Sequence, residues 1–314
     1  MAVDYKQDLI DAVKRVHNYV YQTPILTSSL MNSLTGAQLY FKCENFQKMG
    51  AFKMRGAVNA ILQLTAAQKE AGVVTHSSGN FAQAISLAAR NLGIKAYIVM
   101  PSNAPKIKIE AVKTYGGHII LSEPTLASRE AEAEKIVQKN GATFIHPSND
   151  YNVILGQGTA AYELLQKQPD LDCITTPVGG GGLIGGSCIA AHFFGNNCIT
   201  IGAEPATMDD AKRSLQAGEI QFNNGGLTVA DGLRTHLGDL NFPIIKQFVD
   251  DILLVEERQI IDAMKLIWQY MKIVVEPSSA VPLAAILANP GIFKNKKVGV
   301  IISGGNVDLT NLPF

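Results

Sequence analysis

The sequence predicts an α/β protein of mainly parallel, twisted open sheets, arranged in two lobes in close contact. Three observations carry this expectation. Beyond residue 70, short apolar runs rich in β-branched residues alternate with longer segments of helical periodicity. These runs are apolar on both faces, as strands of a parallel sheet covered by helices are. No Pro/Gly/Ser-rich linker, low-complexity tract or solenoid-period repeat separates the strand series.

Residues 8–21 place apolar side chains at helical spacing, and Pro24 ends that stretch. Ser28-Ser29 is suited to cap a following helix. Residues 38–43 read as a strand and 56–64 as a helix. Strands are then expected at 72–76, 95–100 and 118–121, and helices at 81–92, 106–115 and 128–140. A second α/β series opens near Gln157, with strands at 173–178, 199–203, 252–255 and 298–302.

The 314-residue chain is 47% hydrophobic and 17% charged, an ordinary globular balance. Its 27 basic and 27 acidic side chains cancel, which argues against a nucleic-acid or anionic-membrane partner. No apolar run approaches the length of a membrane span, and MAVDYKQDLIDAVKRV lacks a signal-peptide core. Cys43, Cys173, Cys188 and Cys198 form no CxxC pair and sit in apolar stretches. Buried, reduced thiols in a cytoplasmic protein are expected.

Gly179, Gly180, Gly181 and Gly182 follow an apolar strand and precede Leu183 and an Ala-rich helical segment. Such a loop presents bare backbone N–H groups at the positive end of a helix, which suits a phosphate. The spacing Gly180-x-Gly182-x-x-Gly185, with Glu204 about 20 residues on, also satisfies a dinucleotide fingerprint, so an NAD-dependent oxidoreductase stays open here. A purely structural turn is the plainer reading. Lys53, between Phe52 and Met54, is a candidate desolvated amine of lowered pKa, or else a snorkelling surface lysine. Ser77-Ser78-Gly79-Asn80 forms a second anion-binding turn, or a simple N-cap. Glu204, Asp209 and Asp210 suit a hard cation, or else a solvated loop. Ser303 ends an apolar strand, where ligand crevices of open α/β sheets lie. The histidines, among them His76 and His146, show no metal spacing and read as structural or surface residues. No Gly-x-Ser-x-Gly elbow supports a serine hydrolase.

ENFQKMGAFKMRGA, SSGNFAQA, PVGGGGLIGG, AEPATMDDA and ISGGNVDL, in that order, resemble one family across nearly the whole chain. It is the tryptophan-synthase-β type (fold type II) of pyridoxal-phosphate enzymes, in the serine racemase and serine/threonine dehydratase branch. The resemblance implies a large coenzyme domain at residues 1–70 and 147–314 and a small, flexible α/β domain at 71–146. Lys53 matches the lysine that bonds to the coenzyme. Gly179 to Gly182, with Leu183, match the phosphate cradle, Asn80 the partner of the phenolic oxygen, and Ser303 the partner of the pyridine nitrogen.

The implied chemistry begins when a substrate amine displaces Lys53 and the freed lysine takes the α-proton. Serine rather than aspartate at the ring nitrogen weakens the electron sink, so loss of a β-hydroxyl competes and yields a keto acid and ammonia. Ser78 stands where racemases and 3-hydroxyaspartate dehydratases carry serine and plain threonine dehydratases usually carry alanine. It matches a second proton carrier opposite Lys53. The implied activity is serine racemisation with serine dehydration; threo-3-hydroxyaspartate or L-threonine dehydration is the alternative, and a catalytically silent binding protein is a third.

Ser77, Ser78, Gly79, Asn80 and Phe81 are the expected substrate loop, with Arg129 or Arg234 able to read a second carboxylate. Glu204, Asp210 and the Met208 carbonyl match a site for Mg2+, Ca2+ or Mn2+. Ser28, Ser29, Gln83, Tyr115, Lys272 and Asn306 match a nucleotide site at a homodimer interface, which makes ATP a candidate effector. With the chain ending at Phe314, no regulatory extension is expected. Three positions depart from the family: Phe81 stands in place of a histidine, Ala51 of a serine and Met49 of a threonine.

Overall fold

The described strands form two sheets whose order explains why distant parts of the chain meet. In this computed structural model residues 3–223 and 225–314 are described. The strands are β1 (Ile25–Leu26), β2 (Gln38–Cys43), β3 (Val73–Thr75), β4 (Ala96–Pro101), β5 (His118–Ser122), β6 (Thr143–Phe144), β7 (Cys173–Pro177), β8 (Ile199–Pro205), β9 (Asp251–Val255) and β10 (Lys297–Ile302). One sheet runs β1-β2-β10-β7-β8-β9 and the other β5-β4-β3-β6. Every pairing is parallel except β1 with β2.

The helices are α1 (Tyr5–Val16), α2 (Ser29–Thr35), α3 (Lys53–Leu62), α4 (Ala66–Ala71), α5 (Asn80–Asn91), α6 (Lys106–Thr114), α7 (Leu126–Asn140), α8 (Tyr151–Lys167), α9 (Gly182–Phe194), α10 (Asp210–Ala217), α11 (Phe242–Phe248), α12 (Glu257–Leu266), α13 (Pro277–Ala288) and α14 (Pro290–Phe293). Ser28 caps α2 as expected, its hydroxyl accepting from the Met31 N–H at 3.4 Å. The first helix stops at Val16, well before Pro24, because the chain turns there and sends Val20 into the core.

β10 enters the six-stranded sheet between β2 and β7, so the carboxyl ends of early and late strands lie side by side. β7, β8 and β10 are almost wholly buried, as strands covered on both faces are. α8 and α9 cross so closely that a Cβ on Gly186 would stand 2.3 Å from the Ile154 carbonyl oxygen; only glycine permits this approach. All four cysteines are buried and free. Among the described residues no helix is long and apolar enough to cross a membrane.

A buried ionic network anchors the start of α3. Arg55 Nε donates to Glu44 at 2.7 Å, Arg55 Nη1 to Glu163 at 2.8 Å, and Lys42 Nζ to Glu163 at 2.7 Å. Removing one member would strand a buried charge, so the network specifies how α3 sits. Lys53 lies on the first turn of that helix.

Candidate active site

Lys53 is partly buried, and its Nζ donates to the Pro147 carbonyl at 2.7 Å. Burial lowers its pKa to about 7, and the nearby Glu276 carboxylate opposes that shift. The amine is therefore poised near neutrality, the condition a proton-transferring lysine needs. Pro147 leads into Ser148, and a Cβ on Gly180 would stand 2.4 Å from the Ser148 hydroxyl oxygen. The glycine loop and Lys53 thus share one short segment as a wall.

The loop is shaped for close approach. Gly181 has φ +82°, and a side chain there would meet Asn241 Oδ1 at 2.6 Å. Asn241 pins the loop by donating to the Gly180 carbonyl at 2.8 Å and the Ser148 carbonyl at 3.1 Å. Among the described residues the N–H groups of Gly180, Gly181, Gly182 and Leu183 have no protein acceptor. They stand at the start of α9, where the helix dipole adds positive potential. Gln157 Oε1, against Gly182, is buried and unpaired. These donors fit a phosphate, and the amine beyond them fits an aldehyde, so the residues present suit pyridoxal phosphate.

Ser303 directly follows β10 and is buried; its hydroxyl lies 2.9 Å from that of Ser279. The Ser279 hydroxyl also donates to the Gly304 carbonyl and accepts from the Gly304 N–H, both at 2.7 Å. The Ser303 carbonyl accepts from the Phe52 N–H at 2.9 Å, which joins the Lys53 segment to the end of β10.

Asn80 opens α5. Its Nδ2 donates to both oxygens of Glu276 at 3.0 Å, and its Oδ1 accepts from Asn306 Nδ2 at 2.9 Å. Glu276 is buried beside Gly304, and its carboxyl is pushed up to about 7 by burial. Phe81, the next residue of α5, places its ring 5.7 Å from Lys53 Nζ; the Phe52 ring is at 4.9 Å. Ser77, Ser78 and Gly79 form the partly buried loop between β3 and α5, where the Ser77 hydroxyl accepts from the Gly79 N–H at 3.4 Å.

Lys53, Asn80, Phe81, the glycine loop and Ser303 are therefore brought together. Arg129 lies apart on α7, half-buried, with one long contact to the Thr125 carbonyl at 3.5 Å and its charge felt at His76. Glu276, Ser279 and His146 were not singled out as site residues in the sequence. His146 and His76 belong to this region rather than to a remote core. Their rings are 5.6 Å apart, and His146 Nδ1 accepts from the Ser148 and Asn149 N–H groups at 3.2 and 2.8 Å. Burial holds His146 near pKa 4, so it is neutral there.

The acidic cluster after β8 is no solvated loop. Glu204 and Asp210 are buried, while Asp209 faces outward and accepts from Arg213 at 2.8 Å. Burial and the neighbouring Asp210 push Glu204 to about 9; burial pushes Asp210 to about 6. Glu204 accepts from the Ala211 and Lys212 N–H groups, each at 3.1 Å, so its carboxylate is not offered to a ribose as a dinucleotide site requires. Both Asp210 oxygens are buried and have no hydrogen-bond partner among the described residues. Two carboxylates and a backbone carbonyl fit a hard cation; among the described residues no three or more His, Cys, Asp or Glu side chains are placed so as to hold a metal ion together.

Known proteins resemble this chain over its whole length. It is 48% identical over 314 residues to beta-hydroxyaspartate dehydratase of Paracoccus denitrificans, covering 100% of both chains. It is also 48% identical to serine racemase of Dictyostelium discoideum, over 99% of this chain and 98% of the other. Among solved structures, serine racemase from Dictyostelium discoideum superposes with a TM-score of 0.93 at 49% identity, covering 96% of this chain and 98% of that one. Maize serine racemase gives 0.94 at 45% identity, over 97% and 94%. Residues 16–304 match the family described as pyridoxal-phosphate dependent enzyme, and the chain, with an amine, a phosphate cradle and a hydroxyl arranged for that coenzyme, belongs to this family.

Proposed function

We propose that this enzyme racemises serine and also eliminates water from it. The observation that carries the reading is Lys53, an amine held near neutrality, with the first turn of α5 beside it through Phe81 and the loop that bears Ser78 leading into that turn. Ser78 precedes Phe81 by three residues, and the Phe81 ring touches the Lys53 neighbourhood. Full-length identity of 48% to serine racemase supports the same reading.

Bound pyridoxal phosphate supplies an electron sink that acidifies the α-proton of an amino acid. Gly179 to Gly182 and Leu183 hold its phosphate, Asn80 its phenolic oxygen and Ser303 its ring nitrogen. Lys53 carries a proton on one face of the substrate and Ser78 on the other. The Ser77–Gly79 loop, with Asn80 and Phe81, receives the substrate carboxylate. Glu204, Asp210 and the Met208 carbonyl hold a divalent cation, supported by the unpaired Asp210 oxygens.

Residues 71–146 act as a small domain against residues 1–70 and 147–314. Asn80–Glu276, Asn80–Asn306 and Lys108–Asp231, the last at 2.5 Å, are among the polar ties between them, beside the packing of α3 on α5. The exposed Phe46 and Val274, near each other through an Asn45–Val274 hydrogen bond of 3.1 Å, favour a homodimer. ATP remains a candidate effector through Asn306, which donates to the Met49 carbonyl at 2.8 Å as well as to Asn80.

A second reading, a 3-hydroxyaspartate dehydratase, is supported by the 48% full-length identity to beta-hydroxyaspartate dehydratase, with Arg129 as the candidate reader of a second carboxylate. Chiral chromatography of L-serine incubations, with a pyruvate assay, tests the choice. D-Serine and pyruvate are both expected. Consumption of threo-3-hydroxyaspartate with no D-serine formed would replace the first reading by the second.

A further inference from the structure

Among the described residues Lys53 Nζ has one hydrogen bond, to the Pro147 carbonyl, although a charged amine offers three donors. Aromatic rings occupy much of its remaining surroundings. Phe52 lies 4.9 Å from Nζ and Phe81 5.7 Å, measured to the ring centroids. Phe52 is 8% exposed and Phe81 1%. Phe81 sits in the first turn of α5, directly after Asn80, whose side chain meets Glu276 and Asn306. One helix start therefore sends a polar side chain toward Glu276 and a phenyl ring to the amine. The charged groups that bear on the amine are few: Glu276 opposes its deprotonation, and His146 is close but neutral.

We propose that Phe81 is a positioning residue for Lys53: its ring keeps water and any second hydrogen-bond acceptor away from Nζ, leaving the Pro147 carbonyl as the resting place of the free amine. A polar side chain at position 81 would give the amine a competing partner. A small one would admit water, and either would favour the charged form over the reactive neutral form. The ring face itself attracts a cation, but exclusion of solvent outweighs that attraction here, since burial is the leading influence on the amine. This inference rests on Lys53 being the lysine that bonds to pyridoxal phosphate.

The test reads coenzyme capture rather than turnover. Full-length coenzyme-free protein is mixed with pyridoxal phosphate in a stopped-flow instrument at a series of pH values. Growth of the near-visible absorbance then gives the capture rate. Only the neutral amine reacts, so the rate inflects with Lys53, and comparison between variants cancels the coenzyme's own titration. Phe81→His and Phe81→Ala are expected to move the inflection up by about one pH unit, roughly a tenfold slower capture at the acid end. Phe81→Leu keeps an apolar plug and is expected to leave it in place. Thermal melting of each variant separates loss of fold from loss of positioning. An inflection unmoved in both Phe81→His and Phe81→Ala, or moved as far by Phe81→Leu as by Phe81→Ala, would overturn the proposal. Undiminished absorbance growth in Lys53→Ala is a separate outcome; it would overturn the assignment of Lys53 itself and the proposal with it.

Discussion

The N–H of Phe52 donates to the carbonyl of Ser303 at 2.9 Å, so the residue before the reactive lysine is tied to the residue proposed to face the coenzyme ring nitrogen. Ser279 braces the same corner from α13 through Ser303 and both polar groups of the Gly304 backbone. Ser279→Ala leaves the buried Gly304 N–H without its acceptor. A loss of about 1–3 kcal/mol is expected, read as a lower urea midpoint, together with a shifted near-visible absorbance.

Glu276 and Lys53 give stability opposite dependences on pH. Burial raises the Glu276 carboxyl from 4.5 to about 7. The folded chain then keeps a proton that the unfolded chain has lost, so this contribution is full below pH 4.5 and declines as pH rises toward 7. Burial lowers Lys53 from 10.5 to about 7. The unfolded chain binds that proton more tightly, so stability grows as pH rises from 7 toward 10.5. Urea midpoints of the coenzyme-free protein should fall between pH 4.5 and 7. In Glu276→Gln that slope should flatten, by roughly 1–3 kcal/mol across the window.

Ser78→Ala should abolish conversion of L-serine to D-serine while elimination from L-serine largely survives. Separate assays of D-serine and pyruvate decide it. Equal loss of both activities would remove Ser78 from its role as second proton carrier.

Chelation should lower the melting temperature by several degrees, and Mg2+, Ca2+ or Mn2+ should restore it, because a ligand that binds only the folded state adds about 2.7 kcal/mol at a hundredfold excess over Kd. Asp210→Ala should melt at the same temperature with and without cation. A response that persists in this variant would place the cation elsewhere.

Addition of millimolar Mg-ATP should raise the dehydration rate or the melting temperature if Lys272 and Asn306 belong to an effector site. No change in either would end that reading.

Much of the parallel framework was legible from apolar runs. Residues 38–43 form the expected strand, and the expected strands of the second series lie within a residue or two of those found. The two-residue strands β1 and β6 were not legible, since so short a run has no period. The first helix was read too long because no Gly or Pro marks its end at Val16; the turn there is decided by burial of Val20. Lys53, the glycine loop, Asn80 and Ser303 could be singled out because each stands in a motif with a chemical purpose. Ser279 and Glu276 could not, since a serine and an acid at a helix start are ordinary.

By itself, the order of residues determined the inventory: an amine between apolar neighbours, free N–H groups ahead of a helix, hydroxyls at strand ends. Tertiary structure alone decided which groups act on which. Glu276 lies far along the chain from Lys53, yet it is the carboxylate that opposes the lysine's loss of charge. Phe81 comes from the helix that follows β3 of the four-stranded sheet and still lies beside the amine. Glu204 and Asp210, which the residues alone left open between cation ligands and a solvated loop, are a buried pair because β8 and α10 close around them. The physical reason is common to all three: desolvation and Coulomb interaction depend on distance and packing, which sequence separation does not encode.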